Sequence, residues 1–149
     1  MPASFPATIG QKVKFSKTVA ESDIYLFAGI TGDFGRNHVD EEFMKRTKYG
    51  QRIAHGALLV GFMSTASTLI LEKFTKGDAS ETPVSVGYDQ IRFVNPVYIN
   101  DTITVHYVIK SIDTNQRRSY AKIDIINQHD QIVAVAEHIL KWVKNEDNC

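Results

Sequence analysis

The chain begins with a short alternation: Val13 and Phe15 are apolar, Lys14 and Ser16 polar, which is the period-two pattern of a half-buried strand. From residue 20 to 30 the period changes. Ile24, Phe27 and Ala28 recur at helical spacing, Glu21 and Asp23 suit the positive N-terminal end, and Gly32 suits the stop. Residues 32 to 39 read as a loop, after which Asp40 is placed to cap a short helix with Phe43 and Met44 pointing inward. The segment 45–52 is basic and loop-like. Residues 55 to 74 then read as one long helix. Leu58, Leu59, Phe62, Met63, Ala66, Leu69 and Ile70 leave it few polar sides, which predicts burial nearly all round. A polar stretch, 76–82, ends it.

The remainder reads as strands. Val84, Val86 and Tyr88 alternate, and Ile91 and Phe93 follow. Asn95-Pro96 marks a turn or bulge, because proline cannot donate in a central ladder. Ile103, Val105, Tyr107 and Ile109 form the next alternating strand. Asp113-Thr114-Asn115 closes a hairpin into 120–126, and 127–131 closes another into 132–143. The order is strand, helix, loop, long apolar helix, then four antiparallel strands. A lone apolar helix needs a sheet around it, so the expected class is α+β: a curved antiparallel sheet wrapped around one long central helix. An edge strand left open invites a second copy of the chain, so a homodimer or dimer-based oligomer is expected.

Composition narrows the function classes. At 149 residues, with no long linker and no repeat, the chain is expected to form a single domain, 1–149. Lys plus Arg and Asp plus Glu each number 17, a balance that argues against a nucleic-acid partner, which requires a basic excess. Cys149 is the only cysteine, so no internal disulfide and no cysteine-rich metal site can form. The first 15 residues lack the apolar core of a signal peptide. The apolar run 57–71 spans only about 22 Å at helical rise, against ~30 Å for a bilayer core, and serines and threonines interrupt it. The expectation is a cytoplasmic protein without a membrane partner.

Candidate chemistry concentrates in two segments. In the first, Asp33 and His38 stand five apart, with Gly32 and Gly35 allowing a tight path between them. A carboxylate and an imidazole on one short loop can converge on a single water. By spacing alone, Asp33 can equally cap a helix end and His38 can be a packed side chain. In the second, His55-Gly56 opens the long helix, whose first N–H groups lack internal partners and carry the positive end of the dipole. Gly56 would let a ligand oxygen approach them, and Ser64 lies on roughly the same face two turns on. None of the histidines (His38, His55, His106, His129, His138) forms a His-Glu-x-x-His or His-x-x-x-His pair, so no metal site is expected. No phosphate-binding glycine loop is present either.

Together the two segments resemble the R-specific enoyl-CoA hydratases of the MaoC-like dehydratase family, which have the hot-dog fold. That family's motif runs Gly-Asp-x-Asn-Pro-x-His, then an acidic residue, then His-Gly at the start of the central helix. Gly32, Asp33, His38, Asp40, His55 and Gly56 stand in that register. Residues 92–101 are similar to its later Phe-x-x-Pro-Val-x-x-Gly-Asp signature, with Asn100 in place of the glycine. Gly35-Arg36 replaces the Asn-Pro dipeptide, and Asn37 takes a position that is usually apolar.

The resemblance implies a trans-2-enoyl thioester of coenzyme A as substrate and a (R)-3-hydroxyacyl-CoA as product. It implies Asp33 as base on a water, His38 on the same water, and the Gly56 N–H on the thioester oxygen. Ser64, His55 and Arg36 are then expected at the substrate. No metal and no cofactor is required, coenzyme A entering only as part of the substrate. One or two of Lys45, Arg46, Lys48 and Arg52 are candidates for its phosphates. Two alternatives remain: an acyl-CoA thioesterase on the same fold, and a non-catalytic acyl-binding module.

Overall fold

A computed structural model describes residues 5–75 and 80–146. Nine elements follow one another: β1 Lys12–Thr18, α1 Glu21–Thr31, α2 Arg36–Val39, α3 Glu41–Met44, α4 Gly56–Phe74, β2 Glu81–Phe93, β3 Thr102–Asp113, β4 Arg118–Ile126 and β5 Ile132–Lys144. The strands form one antiparallel sheet in the order β1-β3-β4-β5-β2. The two consecutive hairpins, β3-β4 and β4-β5, make its middle. The long α4 lies against β1 and β3 on the inner face. This is the hot-dog arrangement, α+β, a curved sheet around one central helix.

The curvature has a local cause. β2 slips register against β5 between Ser85 and Gly87 and again between Asp89 and Arg92, and β3 slips against β4 between Ile109 and Ser111. Each irregularity bends its strand and adds twist. The inner faces of β3, β4 and β5 supply Ile103, Val105, Tyr107, Ile109, Ala121, Ile123, Ile125, Ala136 and Leu140 to the core. α4 answers with Leu59, Phe62, Met63, Ala66 and Ile70.

The first helix ends as its sequence predicts. Asp23 accepts the Ala20 N–H at 2.8 Å, and Gly32 adopts the left-handed conformation, φ 81°, that closes α1. Asp40 caps α3 by accepting the Phe43 N–H at 2.9 Å.

Two expectations need correction. The segment 32–39 is not all loop, since 36–39 form the single turn α2. α4 is not buried all round: Ala57, Gly61, Ser64 and Thr68 form an exposed stripe of small residues along it, because one sheet covers only one side of a helix. Trp142 is 2% exposed on β5, which β2 flanks, and its ring meets Phe5 edge-on at 5.0 Å. Cys149 and the start of the polar stretch after α4 lie outside the described residues.

Candidate active site

The site is built where α1 ends, α2 turns and α4 begins. Segment 52–56 runs under α2 and is pinned from two sides. Ile53 N–H donates to the Asn37 carbonyl at 3.0 Å, and Ala54 N–H donates to the Val97 carbonyl at 2.8 Å. The second bond ties the segment to the stretch after Asn95-Pro96. Ile53 also bridges to Tyr98.

His38 uses this frame. Its Nδ1 lies 2.7 Å from the Ile53 carbonyl oxygen. A carbonyl can only accept, so Nδ1 carries the proton, and in the neutral ring Nε2 keeps a lone pair. The side chain is buried, and burial, the larger influence, lowers its pKa from the ordinary histidine value; the neighbouring His55 pushes the same way, while the Ile53 carbonyl and Asp33 oppose. A neutral His38 therefore presents an acceptor at Nε2.

Asp33 follows the C-cap of α1. Its Oδ1 accepts the Gly35 N–H at 3.1 Å, and its own N–H donates to Thr31 Oγ1 at 3.2 Å. The carboxylate is thus turned by its own loop and is solvent-exposed. One Asp33 carboxylate oxygen and one nitrogen from each of His38 and His55 lie within 4.8 Å of one another. Two hydrogen bonds of roughly 2.8 Å meeting at a water span about 4.4 Å. The gap between Asp33 and His38 is thus the size for one bridging water.

His55 lies beneath. It is 1% exposed, and its Nε2–H donates to the Asp33 backbone carbonyl at 2.9 Å. Its ring stacks on His38 with centroids 3.7 Å apart and planes 25° from parallel, and it packs against Phe27 on the other side. Nδ1 of His55 is buried without a partner. A residue so enclosed does not reach substrate, so its expected place at the substrate is corrected to a place under the two reacting groups. Stacking also bears on metal binding. Imidazole lone pairs lie in the ring plane, and two nearly parallel rings aim theirs side by side rather than at one ion about 2.0–2.1 Å from both. The trio favours a water over a metal.

His55 is also the N-cap residue of α4, with no side-chain cap on the helix, so Gly56 begins a 19-residue helix. Gly56 lines a cleft of about 310 Å³ with Asn37, His38, Tyr49, Leu59, Phe93 and the 94–97 turn. A Cβ on Gly56 would lie 2.6 Å from Phe93 Cδ2 and Cε2, so glycine is needed for this close approach.

Arg36 and Ser64, both expected at the substrate, have other neighbours in the fold. Arg36 Nε and Nη2 both donate to Asp40 Oδ2, at 3.0 and 2.9 Å, and its guanidinium lies 4.1 Å from the Phe43 ring centre. These contacts direct it along α2 toward α3, away from the cleft. Ser64 is exposed on α4, close to Tyr88 of β2. Arg52 is likewise unavailable to a phosphate. It is 9% exposed and bonds Glu41 at 2.9 Å, Tyr25 at 2.9 Å and Glu21 at 2.5 Å. A run of cations in sequence did not reveal that one of them is a buried tie between α1 and α3. In the sequence, Asn37 and Phe93 stand out only as parts of motifs. Their approach to the site depends on the fold of the 94–97 turn and on the missing side chain at Gly35.

Residues 4–129 match the MaoC like domain. The chain belongs to that family. A (R)-specific enoyl-CoA hydratase of Rhodospirillum rubrum is 36% identical over 104 residues, covering 69% of this chain and 66% of that protein, so the chain matches just under two thirds of that relative. A 3-hydroxybutyryl-CoA dehydratase of Methylorubrum extorquens is 29% identical over 93% of this chain and 83% of its own. The fold of the (R)-hydratase from A. caviae involved in PHA biosynthesis superposes with a TM-score of 0.79 at 22% identity, covering 93% of this chain and 98% of that one. The MaoC-like chain thus has enzymes, hydratases and dehydratases by name, among its relatives.

Proposed function

We propose that this MaoC-like protein is a hydratase/dehydratase that interconverts a trans-2-enoyl-CoA and a (R)-3-hydroxyacyl-CoA. The observation that carries the reading is the approach of an Asp33 carboxylate oxygen to within 4.8 Å of a His38 ring nitrogen, with no direct bond between them, beside the uncapped start of α4 at Gly56.

In hydration, the water donates one hydrogen bond to the Asp33 carboxylate and the other to His38 Nε2, and it keeps the second hydrogen as the new hydroxyl. Its oxygen adds to C3 as Asp33 takes the proton, and the C2–C3 π electrons move toward the thioester carbonyl. The Gly56 N–H at the positive end of the helix meets the oxygen on which that charge develops, an interaction worth about 3–4 kcal/mol in comparable sites. The proton taken from water returns through the Asp33/His38 pair to C2, so one water has been added across the double bond. Dehydration is the reverse. No cofactor enters this scheme; coenzyme A is part of the substrate.

A homodimer belongs to the same reading. β2 is an edge strand of 13 residues with Val84 and Val86 partly exposed, and the small-residue stripe of α4 is uncovered next to it. Pairing β2 with a second copy would satisfy the open edge and cover that stripe.

The test uses purified protein and crotonyl-CoA, following loss of the conjugated enoyl-thioester absorbance alongside release of free thiol. Absorbance loss without thiol release, abolished in Asp33→Asn, is the expected result. Thiol release would turn the reading to a thioesterase. Binding without turnover across longer and branched enoyl-CoAs would turn it to an acyl-binding module.

A further inference from the structure

The motif departure at Gly35-Arg36-Asn37 looks at first like the loss of a polar side chain from the loop. The geometry around Gly35 says otherwise. A Cβ on Gly35 would lie 2.7 Å from Asn37 Oδ1, 3.2 Å from Asp33 Oδ1 and 3.4 Å from His38 Cδ2. Asn37, Asp33 and His38 therefore meet around the point where a side chain at 35 would begin, and the exposed Asn37 carboxamide would have to turn aside to admit one. Asn37 also lines the cleft.

Its backbone is held there. The Asn37 carbonyl accepts the Ile53 N–H, and the Ile53 carbonyl in turn accepts His38 Nδ1–H. One residue thus registers Asn37 and His38 against each other. The carboxamide makes no hydrogen bond to a described protein group, so its donors remain for a ligand or a water. The two ends of a carboxamide have the same shape, so either the oxygen or the NH2 can be turned to a water.

We propose that Asn37 supplies the third polar contact to the attacking water, from a position two residues later than the asparagine of the family motif. This rests on the hydration reading. Asp33 and His38 accept the water's two hydrogens, which fixes the H–O–H plane. One lone pair faces C3. The Asn37 NH2 donates to the other and so fixes the direction of attack. Residue 35 gives up its side chain to make room, and residue 37 fills the space.

The idea makes a specific demand on double variants. Gly35 has φ −52° and ψ 137° and is the N-cap of α2, a conformation and a position that asparagine accepts readily. Side chains at 35 and 37 compete for the same point. Asn37→Ala is expected to lower kcat on crotonyl-CoA by roughly ten- to a hundredfold, with KM and Tm little changed, since misplacing a reacting atom has effects of this order. Gly35→Asn alone is expected to be impaired by the collision. Gly35→Asn combined with Asn37→Ala is expected to recover most of the lost kcat and to exceed both single variants.

Three results would overturn this: Asn37→Ala with wild-type kcat, an equal loss in KM and kcat with a lowered Tm, or a folded double variant no better than Asn37→Ala. A wild-type protein inert toward crotonyl-CoA and longer enoyl-CoAs would instead overturn the hydration reading underneath, and the role of Asn37 with it.

Discussion

The imidazoles of His38 and His55 stack at 3.7 Å between centroids, and each donates its one bonded N–H to a backbone carbonyl, Ile53 for His38 and Asp33 for His55. The buried ring therefore sets both reacting groups at once. It backs His38 with its face and holds the Asp33 main chain with its edge.

Those two effects separate by substitution. His55→Phe keeps a ring for His38 but loses the donor to Asp33. We expect kcat to fall roughly tenfold from the freed carboxylate loop, with the acid limb of the pH–rate profile moved up only slightly, since a ring still buries His38 and only the neighbouring imidazole is lost. His55→Gln keeps a donor but removes the ring, which relieves both the burial and the neighbouring imidazole that lower the His38 pKa. Its acid limb should move up toward the ordinary histidine value of 6.5. The sign follows from the proposed role: only neutral His38 accepts the water's hydrogen, so activity is present above its pKa and is lost as pH falls through it. Identical profiles for both variants would show that the stack does not tune His38.

Gly56→Ala tests the helix start. Alanine normally favours a helix over glycine, by about 1 kcal/mol in an interior position. Here its Cβ would collide with the Phe93 ring. Phe93 is 53% exposed and can swing aside, so the stability loss should be small. Activity should drop more, roughly ten- to a hundredfold in kcat/KM, because the methyl crowds the N–H that meets the thioester oxygen. Phe93→Ala in the same chain should restore Tm but not activity. Recovery of both would mean that the ring, not the N–H, was the sensitive element.

The contrast between Gly56 and Arg52 explains how much was legible beforehand. Gly56 was readable because helix starts, caps and periodicity are local: α1 with its Asp23 and Gly32 ends, α3 under Asp40, α4 and the two hairpins all follow from neighbouring residues. The Asp33/His38 pair was readable because both lie on one loop. Arg52 was not, since its partners Glu21 and Glu41 are 31 and 11 residues away and only the fold joins them. The neighbour of Ser64 was not legible for a related reason. Helical spacing gives its face on α4, but only the fold brings Tyr88 of β2 close to it.

Arg52 should matter for stability rather than for coenzyme A. Its guanidinium bonds Glu41, Tyr25 and Glu21, and those carboxylates raise its pKa further. Arg52→Met keeps the stem and removes the charge. The expected loss is about 2 kcal/mol, discounted from the sum of the bonds because both glutamates are partly exposed and can return to water. Chemical denaturation checks it. KM for the CoA thioester should stay within about twofold of wild type, since the charge has no route to the substrate phosphates. A large rise in KM would show that the residue does reach them.

A third buried histidine sets the acid stability. His138 is 0% exposed on β5, with Nδ1 2.7 Å from the Tyr107 hydroxyl, Nε2 2.8 Å from Ser85 Oγ, and Tyr88 stacked on its face at 4.3 Å. Burial pushes its pKa down from 6.5 to about 4. A base whose pKa is lowered by folding is more readily protonated in the unfolded chain. Its stability contribution is therefore present above pH 6.5 and is lost as pH falls toward 4, by about 3 kcal/mol for a shift of this size. Denaturation midpoints measured between pH 7 and 4 should show that slope. His138→Gln, which can still bond Tyr107 or Ser85 but does not titrate, should flatten it at a lower overall stability. An unchanged slope in the variant would assign the acid sensitivity to other groups, with His38, also lowered by burial, the next to replace.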